Sequence, residues 1–126
     1  MGYFTKKIIL AIGAFLVSIF LLSTQAQAQV YFGQVAVNSI NYQTTFITNN
    51  SSENLTFRNA WVAGNYFNLN HNCYAGLKAG QTCNAQIQFW PMTSGFHTAQ
   101  ATFNFSIQNS YRQISQYIGI SGQAYR

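Results

Sequence analysis

The sequence predicts an all-β fold, a sandwich of about seven strands with one disulfide, behind a cleaved signal peptide. Three observations predict it. Short alternating segments recur along the chain with polar or glycine-containing turns between them, the pattern of a sandwich of about seven strands. No window sustains the i, i+3, i+4 spacing of an amphipathic helix. The segment Cys73–Gly95 places two cysteines around a Gly80 turn, then an alternating strand that stops at Pro91, then a restart after Gly95. That order suits two neighbouring strands with a cross-link at one corner of the sandwich.

The chain opens with Lys6 and Lys7, followed by an almost unbroken apolar run from Ile8 to Leu22 and the small-x-small sequence Ala26-Gln27-Ala28. These are the three regions of a secretory signal peptide, so residues 1–28 are expected to be removed and the mature chain to begin at Gln29. The apolar run falls short of the ~20 residues that span a bilayer, and no second one follows, so no transmembrane segment is expected after cleavage. Residues 29–126 form one domain.

Within it, Val30–Val37 reads as the first strand, with a kink or bulge at Gly33. Tyr42–Asn49 alternates, and Asn50-Ser-Ser-Glu-Asn54 is turn chemistry. Leu55–Ala63 is the third strand. Gly64-Asn65 turns into a short Tyr66–Leu69 strand, and Ala79-Gly80 turns into Thr82–Trp90. Phe96–Ile107 is long, Asn109-Ser110 turns, and Gln113–Ser121 closes the set. Alternation sets Thr45, Ile47 and Asn49 inward, facing Ala85, Ile87 and Phe89, Ala99, Ala101 and Phe103, and Ile118 and Ile120.

These segments resemble the ASH/HYDIN group of immunoglobulin-like domains, which takes in the ASPM–SPD-2–Hydin domains and the bacterial choice-of-anchor type. The resemblance runs in order through Phe32-Gly33-x-Val35-x-Val37, Thr45-x-Ile47-x-Asn49, Leu55-x-Phe57, Gly64-x-x-Phe67, Cys73, Leu77-x-Ala79-Gly80-x-x-Cys83, Phe89-x-Pro91-x-x-x-Gly95 and Ile118-x-Ile120-x-Gly122. It implies a seven-stranded sandwich and a structural or protein-binding role without catalysis. This chain departs from the group's usual pattern in having one such domain, and in carrying Phe46 and Trp90 where relatives tend to have small polar residues.

Charge narrows the function further. Glu53 is the only acidic residue of the 126. Against it the mature chain sets Arg58, Lys78, Arg112 and Arg126, a net charge of +3 scattered rather than clustered, which is no footprint for nucleic acid. One carboxylate cannot make an acid–base pair, and a Ser-His-Asp set lacks its acid, so no enzyme is expected. His71, Cys73 and Cys83 would give at most three zinc ligands, and in an exported chain the two cysteines are expected as a disulfide; no metal or cofactor is expected. The glycines lie at turns and kinks and form no phosphate-binding loop.

The remaining functional signal is aromatic excess, 17% of the residues. Phe32, Phe57, Phe67, Phe89 and Phe103 suit the core. Tyr42, Phe46 and Trp90 fall on outward parity, Trp61 is expected to join them, and Arg58 lies near them, making these five the candidate binding patch. Scattered exposed aromatics are the ordinary alternative. As a contiguous patch they would dock a protein partner in an envelope or surface assembly, or stack on the rings of a glycan. The expected location is outside the cytoplasm: periplasm, cell surface or secreted.

Overall fold

A computed structural model describes residues 16–19 and 28–126; most of the expected signal peptide lies outside the described residues. All regular structure described is strand: β1 (Leu16–Ile19), β2 (Ala28–Ala36), β3 (Asn41–Asn49), β4 (Leu55–Ala63), β5 (Phe67–His71), β6 (Thr82–Phe89), β7 (Gly95–Ile107) and β8 (Gln113–Tyr125). Seven of these belong to the expected mature domain. The eighth, β1, falls inside the expected leader, where no strand was anticipated. One sheet has the order β1-β3-β6-β5 and the other β2-β8-β7-β4. β2 runs parallel to β8 and β1 parallel to β3, while the other pairs are antiparallel.

The expected inward parity holds across both sheets. Thr45 pairs with Ala85 and Ile47 with Cys83, all facing the interior. Ile47, Ile87, Phe89, Ala101, Phe103, Phe105 and Ile118 have no exposed surface. Each large apolar side chain buried this way contributes about 1.5–3 kcal/mol. Phe67 stacks on Phe89 with centroids 4.4 Å apart, and Phe32 lies 5.4 Å from Phe89. Gly122 makes room for this cluster, since a Cβ there would come within 2.5 Å of the Phe89 ring.

Asn49 ties the end of β3 to its surroundings, as its position suggests. It is fully buried; its Nδ2 donates to Glu53 O at 2.7 Å and Leu77 O at 2.9 Å, and its Oδ1 accepts from the Ser51 N–H and hydroxyl. Leu77, in the loop between the cysteines, bonds through its backbone to Leu55 of the opposite sheet in both directions. Gly76 has φ +80 and its missing Cβ leaves space for Leu55 O, so the sequence Ala75-Gly76-Leu77 permits this crossing.

Two bulges reset the alternation. The register of β2 with β8 shifts between Tyr31 and Gln34, where Gly33 has φ +72. That of β4 with β7 shifts between Phe57 and Asn59. Without the second bulge, a strand starting with Leu55 and Phe57 inward would carry Trp61 inward too. With it, Ala60 and Val62 turn in and Trp61 turns out.

Among the described residues, one buried polar side chain keeps an unpaired acceptor. Gln116 is 4% exposed, opposite Phe103, and its Oε1 has no hydrogen-bond partner. A buried unpaired acceptor costs about 1–3 kcal/mol, whereas an apolar side chain of similar shape carries no such penalty. Gln116→Met is therefore expected to stabilise the domain by about 1 kcal/mol, read as a higher urea midpoint at unchanged slope.

Candidate functional site

The two cysteines and His71 are taken up by the fold. Cys73, just beyond β5, and Cys83 in β6 are joined as a disulfide with Cα atoms 5.2 Å apart. Their sulfurs are bonded to each other, which removes them as nucleophiles and as zinc ligands. His71 is held in an aromatic cage by Tyr74 at 4.2 Å, Phe57 at 5.0 Å and Phe103 at 5.3 Å. Its Nδ1 accepts the Cys73 N–H, and burial lowers its pKa. His97 contacts Tyr66 and Phe89 and has Nε2 at 2.9 Å from Thr93 O. Glu53 is exposed on the turn after β3.

The cage makes stability depend on pH. The unfolded chain binds a proton at His71 with its ordinary affinity, and the folded chain binds it less readily. Between the lowered folded pKa and 6.5 the unfolded state therefore holds more protons, and stability falls as pH drops through that window. His71→Phe is expected to flatten the dependence. Urea midpoints of the native and variant chains at pH 7.5 and in steps down to 5 check this.

The five candidate binding residues are all exposed, but they lie in three places. Tyr42 and Phe46 sit on the outer face of the sheet formed by β3, β6 and β5, where Tyr42 pairs with Gln88 and Gln88 with Asn68. Asn68 Nδ2 donates to Gln88 Oε1 at 3.0 Å, and Gln88 Nε2 donates to Tyr42 Oη at 3.1 Å. One rung along, Thr44, Gln86 and Asn70 align. Tyr42, Asn68, Leu69, Asn70, Gln86 and Gln88 line a groove of about 230 Å³.

Trp61 is on the outer face of the opposite sheet. There it and Tyr117 flank Thr102, which is only 6% exposed although it points outward. Arg58 occupies the bulge on the β4 edge of that sheet. Trp90 lies past the end of β6, its N–H donating to Tyr66 O and its Nε1 to Asn38 Oδ1 at 3.3 Å. Tyr42, Phe46, Arg58, Trp61 and Trp90 thus lie on two opposite faces and one end of the sandwich, not in one contiguous patch. Alternation tells inward from outward, but it does not tell which sheet's outer face a residue joins.

Residues overlooked in the sequence complete these faces. The amide side chains Asn68, Asn70, Gln86 and Gln88 read as polar filler until the register aligns them beside Tyr42. Tyr117, 45% exposed, joins Trp61 only through pairing across β7.

No protein-family profile and no curated protein sequence matches the chain. Solved structures do. The ASH/PapD-like domain 7 of human CEP192 aligns with a TM-score of 0.63 at 9% identity, over 100% of this chain and 99% of that domain. The fold is ASH-like. A Vibrio cholerae protease, VesB, aligns with a TM-score of 0.61 at 14% identity over 75% of this chain, and the secreted serine protease VesC of the same species with 0.51 at 13% over 73%. This chain spans 30% and 21% of those two proteases' lengths. At such identities the likeness is one of fold.

Proposed function

We propose that the chain is an exported, non-catalytic module that binds a protein partner in a bacterial envelope or surface assembly. The observation that carries this reading is the split between interior and surface. The cysteines and His71 are consumed by structure, whereas both outer faces present uncharged polar side chains with exposed aromatics. Buried aromatic anchors carry much of the energy of protein interfaces. The leader pattern and the oxidised cysteine pair support export. The ASH-like fold supports a role without catalysis, by analogy of fold alone.

Photo-crosslinking side chains at positions 46 and 61 of the exported protein, activated in intact envelopes, test the reading. A discrete protein adduct from either face is expected, and no adduct from both overturns it. Glu53→Gln is expected to leave adducts and folding unchanged, because an exposed carboxylate contributes little. A hydrolytic activity lost with that substitution would make the chain an enzyme.

The groove beside Tyr42 favours a second reading, a carbohydrate- or peptidoglycan-binding module. Side-chain amides donate to and accept from sugar hydroxyls, and a tyrosine ring supplies a stacking face. Retention on peptidoglycan or polysaccharide that is lost in Tyr42→Ala would establish it.

A further inference from the structure

Once residues 1–28 are removed, the sheets have four edges, formed by β3, β5, β2 and β4. Exposed edges template pairing with other chains, and proteins blunt them by shortness, bulges or charge. Three of the four are blunted. β5 has 5 residues. β2 is interrupted at Gly33. β4 is interrupted between Phe57 and Asn59, with the exposed Arg58 in the break. β3 has no such device. Its 9 residues contain no charge, proline or glycine, and its register with β6 is unbroken from Asn41 to Thr48.

The groups this edge presents follow from one anchor point. The Asn49 N–H donates to Gln81 O and the Asn49 carbonyl accepts from the Gly80 N–H, so both point to the β6 side. Alternation along an antiparallel ladder then turns the N–H and C=O of Tyr42, Thr44, Phe46 and Thr48 to the free edge. β1 lies along that edge, parallel, with Leu16 opposite Phe46 and Ile19 opposite Asn49. The sequence of β1, Leu-Val-Ser-Ile, is uncharged and mostly apolar.

We propose that in the exported chain the β3 edge accepts an uncharged, apolar strand from a protein partner, laid parallel to β3 where Leu16–Ile19 lies. The inference rests on the protein-binding reading with its leader removed, and supplies the partner's chemistry. Main-chain hydrogen bonds provide the attachment and alternate side chains the selectivity. Donor positions opposite Phe46 lie over the outer face beside an exposed ring. Positions opposite Ile47 lie at the margin of the core, where a charge would be desolvated without a partner.

The test uses the exported protein, with its N-terminus determined by mass, and a synthetic peptide of residues 14–21 between lysine pairs. Saturating peptide is expected to slow amide exchange at least tenfold at Thr44 and Phe46, while Gln43 and Thr45, bonded towards β6, change little. A peptide with aspartate in place of Val17 should bind at least tenfold more weakly. So should the wild-type peptide to Thr44→Pro, which loses one edge N–H, or to Thr44→Lys should the proline variant not fold. No edge protection, or protection unchanged in the Thr44 variant, overturns the inference. Protection that appears without peptide and grows with protein concentration also overturns it, by making the occupant a second copy. Envelope adducts at positions 46 or 61 together with no edge protection would leave the binding module standing and remove only the strand-accepting edge. A mass that retains residues 1–28 would overturn the inference through leader removal, because β1 would then hold the edge in cis.

Discussion

Phe89→Ser is expected to lower stability by about 3–5 kcal/mol, the cost of truncating a buried aromatic, and more if the serine hydroxyl finds no partner. In a domain of this size that is a fall in melting temperature on the order of 15–30 °C. Phe89 has no exposed surface, stacks on Phe67 and sits over Gly122, so its loss opens a cavity where the two sheets meet. Trp90, the next residue, is 41% exposed, and Phe46 is 39% exposed. Trp90→Ser and Phe46→Ser should each cost well under half as much, because their rings leave little space behind in the core. Thermal melts of the three variants decide it. A Trp90→Ser variant that melts as early as Phe89→Ser would mean that the end of β6 is packed on both sides, and would remove Trp90 from any binding surface.

The contrast between neighbours shows what the sequence carries. In β3 and β6 the inward set alternates without interruption, so period-two reading found Thr45, Ile47, Asn49, Ala85, Ile87 and Phe89. Strand ends were legible to within a few residues where turn chemistry marks them, as at Asn50–Asn54. β8 runs four residues past Ser121, through Gly122, which serves as the gap beneath Phe89. The pair Cys73–Cys83 needs only the count of cysteines and the expectation of export.

The candidate site was less legible, and the reason is geometric. Sheet membership depends on long-range pairing, which alternation along one strand does not record. Tyr42 and Trp61 both point outward, Trp61 only through the bulge in β4, yet strand order sets them on opposite faces. The β3 edge was hidden for the same reason. A strand becomes an edge only through the absence of a neighbour, and the bulges that blunt β2 and β4 are visible only in register.

Cys83→Ala is expected to cost about 2–4 kcal/mol, the second large effect. The two cysteines are 10 residues apart, and closing so short a loop in the unfolded chain accounts for about 2.5–3 kcal/mol by chain entropy. The location adds to this. β5 has 5 residues and, among the described strands, pairs with β6 alone, so the link fixes its end to the partner that holds it. The loop it closes carries Leu77, 2% exposed, whose backbone bonds reach Leu55 in the other sheet and whose carbonyl accepts from Asn49. Loosening the loop therefore frees the contact between sheets as well as one strand. In Cys83→Ala, amide exchange should accelerate first at Leu55 and Leu77 and through β5, while the β7–β8 hairpin keeps its protection. Thiol labelling of the folded protein, isolated without reductant, supplies the control. Both cysteines should resist labelling until a reductant is added, and then react together. Full labelling without reductant would mean that the pair is reduced in the folded chain, and the stability expected from the link would have to come from packing around Cys73 and Cys83 alone.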